Sequence, residues 1–113
     1  MAVRDLDVWL ARGVARERLI LGVPFYGYGF GGEKANWSYR DLVAAHGLNA
    51  TKADVIGERC PGCRYITHNS PATIESKSRL AAEKAGGVMA WELSQDTLDF
   101  ALTKAIGQGL SRE

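Results

Sequence analysis

The chain has 113 residues, the size of one small domain or of a piece of a larger one. Hydrophobic residues make up 46% and charged residues 24%, near the globular average, which excludes a disordered or fibrous chain. Fourteen Lys and Arg against thirteen Asp and Glu leave a net charge of +1. That balance supplies no basic field for nucleic acid, and no apolar run approaches the roughly 18–20 residues of a membrane-spanning helix.

Taken in chain order, Val3, Leu6, Trp9 and Leu10 recur at helical spacing, and Gly13 marks the stop of a first helix. Leu19 to Phe25 is a nearly continuous apolar run, which suits a strand covered on both faces. Tyr26 to Gly32 alternates aromatic residues with glycine and reads as a loop able to approach a ligand closely. Ser38-Tyr39-Arg40-Asp41 fits a helix start, with the helix running to His46, whereas Gly47 to Gly62 reads as irregular. Tyr65-Ile66-Thr67 fits a short strand. Ser70 caps a further helix with Pro71 in its first turn and Ile74, Ser78, Ala81 and Ala85 on one face, ended by Gly86-Gly87. Val88 to Trp91 is a second buried strand, and a last helix spans about Leu98 to Gln108. Two strands joined through a helix predict a parallel pair, hence α/β architecture, with edges that want partners.

Two segments carry a family resemblance. Leu21-Gly22-Val23-Pro24-Phe25-Tyr26-Gly27 resembles the seventh-strand motif of glycoside hydrolase family 18, the chitinase-like family. Gly86-Gly87-Val88-Met89-Ala90-Trp91-Glu92-Leu93-Ser94-Gln95-Asp96 is similar to that family's eighth strand with its terminal tryptophan, and Thr67 to Ile74, followed by Lys77, looks like the stretch entering the seventh helix. The resemblance implies residues 1–113 as the C-terminal portion of a (β/α)₈ TIM barrel. It would have two parallel strands, about three helices and an irregular insertion at about 31–65.

It also implies a function. The family hydrolyses β-1,4-linked N-acetylglucosamine glycans by substrate assistance, the sugar's N-acetyl group acting as nucleophile. Its catalytic glutamate closes an Asp-x-x-Asp-x-Asp-x-Glu motif that occurs nowhere in these 113 residues. No catalytic residue is therefore assigned, and the chain is expected to be inert alone. Trp91 matches the tryptophan that floors the cleavage subsite, where an indole plane covers the apolar face of a pyranose. Tyr26 matches a tyrosine lining the same cleft. Tyr28 stands where many members have arginine, a departure at a substrate-contact position. The implied partner is a chitin-like oligosaccharide or related glycan, with no cofactor, no metal, no nucleic acid and no membrane. Self-association through exposed strand edges is also expected. Complete members are commonly secreted or envelope-associated, although Met1 leads into Ala-Val-Arg-Asp-Leu-Asp without a secretory pattern.

Other readings remain. A non-catalytic glycan-binding module fits the same residues. Cys60-Pro61-Gly62-Cys63 is a lone C-x-x-C, readable as a loop disulfide, as two free thiols, or as half of a metal or redox site with His46 or His68. Glu92 and Asp96 are a poor carboxylate pair, because Asp96 sits where a helix cap is needed. His68 reads as a loop residue, and Lys77 lies on the solvated side of its helix.

Overall fold

The computed structural model describes residues 2–111. In chain order its elements are α1 (Ala2–Ala11), β1 (Ile20–Pro24), β2 (Tyr26–Phe30), β3 (Asn36–Ser38), α2 (Tyr39–His46), α3 (Leu48–Lys52), β4 (Val55–Gly57), β5 (Tyr65–Thr67), α4 (Pro71–Lys84), β6 (Gly87–Trp91) and α5 (Ala101–Leu110). Single 3₁₀ turns lie at Arg16–Arg18 and Leu93–Gln95.

The expected parallel pair is present. β1 runs alongside β6 in a register from Ile20 opposite Gly87 to Pro24 opposite Trp91. Period-two alternation gives this pair two unlike faces. Leu21, Val23, Val88 and Ala90 pack into a cluster with Phe25, Tyr39, Ile74, Leu102 and Ala105. Each fully buried side chain of this kind contributes about 1.5–3 kcal/mol. The other face leaves Ile20, Met89 and Trp91 in the open, which is the side a closed barrel turns inward. α1 rests against α4 through Leu6, which meets Ala81 and Ala85. Trp9 departs from the expected stripe and is exposed, because α1 touches the body along a narrow edge. The side chain of Val3 lies outside the described residues.

The segment between β1 and α4 differs from expectation in two respects. Tyr26–Phe30 is a strand and not a loop, and the insertion is ordered. β2, β3, β4 and β5 form an antiparallel sheet in the order β3-β2-β5-β4, with α2 and α3 beneath it. The Tyr-Gly alternation explains why. Gly27 and Gly29 fall on the inner face, where a Cβ on Gly27 would stand 2.6 Å from the Thr67 carbonyl oxygen and 2.9 Å from the His68 Cβ. Tyr26, Tyr28 and Phe30 then share the outer face. Glycine is here an agent of close sheet packing, not of looseness. Leu42, Ala50 and Ile66 fill the small core between sheet and helices.

Two carboxylates, the half-buried Asp54 and the buried Asp96, set the starts of the two long helices that cover the sheet. The Asp54 carboxylate accepts hydrogen bonds from the Ser70 N–H (2.8 Å) and the Thr73 hydroxyl (2.6 Å). The cap of α4 thus comes from the insertion, and the Ser70 side chain makes no such bond. Asp96, almost wholly buried, accepts from the N–H groups of Thr97 (2.8 Å), Leu102 (3.0 Å) and Thr103 (2.8 Å), and from the Thr103 hydroxyl (2.7 Å). These bonds engage the free amides at the start of α5, and the carboxylate complements the positive end of the helix dipole. They also move that start to Ala101, three residues beyond the expected Leu98, which is left at the surface. Replacing Asp96 by Ala strands those donors, so urea unfolding of Asp96→Ala is expected to show a loss of roughly 2–3 kcal/mol. An unchanged midpoint would remove Asp96 from this role.

Candidate functional site

The end of β6 and the start of β2 meet through the main chain. The Phe25 N–H donates to the Trp91 carbonyl at 2.8 Å, and the Tyr39 N–H donates to the Phe25 carbonyl at 2.9 Å. Phe25 itself is wholly buried, so the residues on either side of this junction are held firmly. Trp91 and Tyr26 consequently line one cleft of about 470 Å³, with Trp37, Ser38, Asp41 and Gln95 as further walls. Tyr28 lies on the same strand face, its ring edge-on to Tyr26 with centroids 5.5 Å apart. Tyr26 and Tyr28 also line a smaller depression of about 160 Å³ with Asn69. The three residues singled out in the sequence are thus neighbours.

Trp91 is 61% exposed, a large indole presented to solvent at the C-terminal end of a strand. The Tyr26 phenol is held above its ordinary value, chiefly by hydrogen bonding with the Tyr28 hydroxyl and then by burial. It therefore stays an O–H donor throughout the neutral range. Trp37 was not singled out in the sequence. It is fixed by its indole N–H donating to the Lys34 carbonyl (2.9 Å), by the Lys34 ammonium 4.5 Å from its ring centre, and by His46 at 5.6 Å. Ser38 accepts from the Asp41 N–H at 3.1 Å and so begins α2. Trp37 and Asp41 gave no signal beyond residue type, since their place depends on the antiparallel sheet. The cleft therefore offers two indoles, a phenol, a hydroxyl and, from Asn36 and Gln95, two amides. Asp41, exposed and 3.9 Å from Lys34, is the one carboxylate among the residues described as lining it. Such a surface holds a neutral polyhydroxylated ring by face contact and edge hydrogen bonds.

The other candidates separate. Glu92 accepts from the Ser94 hydroxyl, and its N–H donates to the Gln95 side chain (3.2 Å), whereas Asp96 is turned into α5. The two carboxylates serve different elements and do not converge. Cys60 and Cys63 are joined by a disulfide, so neither sulfur is a thiolate in this structure. Lys77 reaches back to Asn69 at 2.6 Å, tying α4 to the segment after β5.

The model of glycosyl hydrolases family 18 matches residues 2–96. The chain belongs to this family. Chitinase 63 from Streptomyces plicatus is 29% identical over 88% of this chain and 19% of its own length. A family 18 chitinase, ChiB, from Flavobacterium johnsoniae has a TM-score of 0.79 at 30% identity, covering 96% of this chain and 33% of that one. A class V chitinase from Nicotiana tobaccum, solved in complex with NAG4, has a TM-score of 0.71 at 17% identity over 95% of this chain and 38% of that one. The family 18 chain described here therefore spans about a fifth of the first relative and about a third of the ChiB structure. Its α/β body corresponds to part of the family's TIM barrel, and the covered and open faces of the β1–β6 pair follow from that.

His68, read from sequence as a loop residue, is buried directly after β5 and tilted against Tyr39 at 6.1 Å between ring centres. Burial lowers its pKa from 6.5, and His46 adds to the effect. The Asn69 and Ala53 backbone and the Asp54 carboxylate oppose it without reversing it. Between 6.5 and the lower folded value the unfolded chain binds more protons, so stability falls as pH falls through that window. Thermal unfolding at pH 7.5 and 5.5 is expected to show a lower midpoint at pH 5.5. His68→Gln should reduce that difference, and an equal difference in both proteins would assign the dependence to other groups.

Proposed function

We propose that this family 18 chain supplies the end wall and part of the floor of a glycan-binding cleft, in a protein acting on β-1,4-linked N-acetylglucosamine polymers or related glycans. The observation that carries the reading is the convergence of Trp91 and Tyr26 on one cleft, with Tyr28 beside them. The indole of Trp91 covers the C–H face of a pyranose, and the neutral Tyr26 hydroxyl donates to its oxygens. The match to chitinases, one of them solved with a bound NAG4, supports the choice of sugar. Tyr28 offers an aromatic edge and a hydroxyl where many members place a cation, so its contact is neutral. The acid that protonates the leaving oxygen in this family comes from outside these 113 residues. The chain alone is accordingly a binding surface and not a catalyst.

Titration of N-acetylglucosamine oligomers against the tryptophan fluorescence of the chain tests this. Saturable quenching is expected, weakened at least about tenfold in Trp91→Ala, with no sugar released. Quenching that survives in Trp91→Ala would remove that residue from the site. Release of sugar would overturn the assignment of the acid to residues elsewhere.

The open face of β1–β6, with Ile20, Met89 and Trp91 exposed, supports a second proposal: the chain taken alone self-associates through this sheet. Sedimentation across a concentration series is expected to show species larger than the monomer. A clean monomer at high concentration would count against it.

A further inference from the structure

Tyr26, Tyr28 and Phe30 stand at alternate positions of β2 and so point the same way, spanning about 13 Å at the usual rise per residue. Opposite Phe30 on β5 is Tyr65, and the two rings stack at 4.9 Å between centres with 22° between planes. Phe30 is 44% exposed, although its strand lies at the centre of the four-stranded sheet. A separate groove of about 380 Å³ opens at this pair, closed on its far side by Arg59 and the Cys60–Cys63 disulfide loop. The first cleft contains Trp91 and Tyr26, the intervening depression contains Tyr26 and Tyr28, and the groove contains Phe30 and Tyr65. Aromatic rings therefore line three depressions, and Tyr26, Tyr28 and Phe30 link them along β2.

We infer that the Phe30–Tyr65 groove is a distal sugar subsite, holding the far units of the same glycan whose near unit rests on Trp91. The inference rests on the cleft reading above and extends it. Its occupant follows from continuity, because a linear polymer leaving Trp91 along β2 meets Tyr28 and then the stacked pair. It follows also from chemistry. Stacked rings present an apolar plane to a pyranose, and the Arg59 guanidinium on the rim donates to hydroxyl or acetamido oxygens. The disulfide holds the loop in place as the groove's wall.

Calorimetric titration of the whole chain with N-acetylglucosamine oligomers, from dimer to hexamer, tests this. Phe30→Leu keeps apolar bulk on the strand but removes the ring, and Arg59→Ala alters the rim without touching the sheet. Affinity of the wild type is expected to rise with oligomer length. Both variants should lose roughly three- to tenfold with the longest oligomers and bind the dimer unchanged. Equal affinities of wild type and both variants for the hexamer would overturn the distal subsite, leaving the Trp91 cleft standing. Absence of binding at every length in the wild type would overturn both.

Discussion

The arrangement depends on the backbone of one residue, Phe25. Its N–H is bonded to the Trp91 carbonyl and its own carbonyl to the Tyr39 N–H, while its ring is shut inside the main core. The parallel pair β1–β6 is therefore continued by one more bond before the chain turns out into the insertion. The start of α2 is tied to the same point. The two main-chain bonds gain only modest net energy each, but buried and rigid they fix the separation of Trp91 from Tyr26. The cleft is a consequence of that junction.

Around it, carboxylates act as structural anchors. Asp54 reaches from the insertion to the start of α4, and Asp96 reaches from the end of β6 to the start of α5. Burial pushes the Asp54 pKa up, but the Thr73 and Ser70 hydrogen bonds outweigh it and hold the group below its usual range. The insertion and the barrel portion are thereby coupled electrostatically as well as through Phe25. Asp54 and Asp96 are thus committed to helix starts, and Asp41 is the carboxylate that lines the cleft beside its rings and hydroxyls. Tyr39 belongs to the same logic. Its phenol is pushed up to about 12 by burial first and then by the charges of Asp96 and Asp99. It stays neutral in the core while its backbone closes the junction.

Much of the barrel portion was legible. The apolar runs at 19–25 and 88–91 were readable because residues covered by helices on one face and by a barrel interior on the other must be apolar throughout. The stripe Ile74, Ser78, Ala81 and Ala85 was readable because α4 packs along its length. The insertion was legible only in α2 and β5. Tyr26–Phe30 has the composition of a loop, and only pairing with β3 and β5 turns its glycines into close-packing positions. α3 and β4 are too short for periodicity to show, and Leu98 looked helical because the Asp96 cap that displaces the helix start acts through space.

The sequence by itself determined the α/β order, the two motif strands with their family resemblance, and Trp91, Tyr26 and Tyr28 as binding candidates. The element order follows from local pattern, which a linear chain displays, and the binding candidates follow from the resemblance of the two motif strands to the family. Only the tertiary structure decided that the three aromatics are neighbours, that Trp37 and Asp41 join them, and that His68 is buried. It also separated Glu92 from Asp96. Each of these depends on pairings between residues distant in sequence, and such contacts arise when backbone hydrogen bonds and packed side chains close the chain on itself.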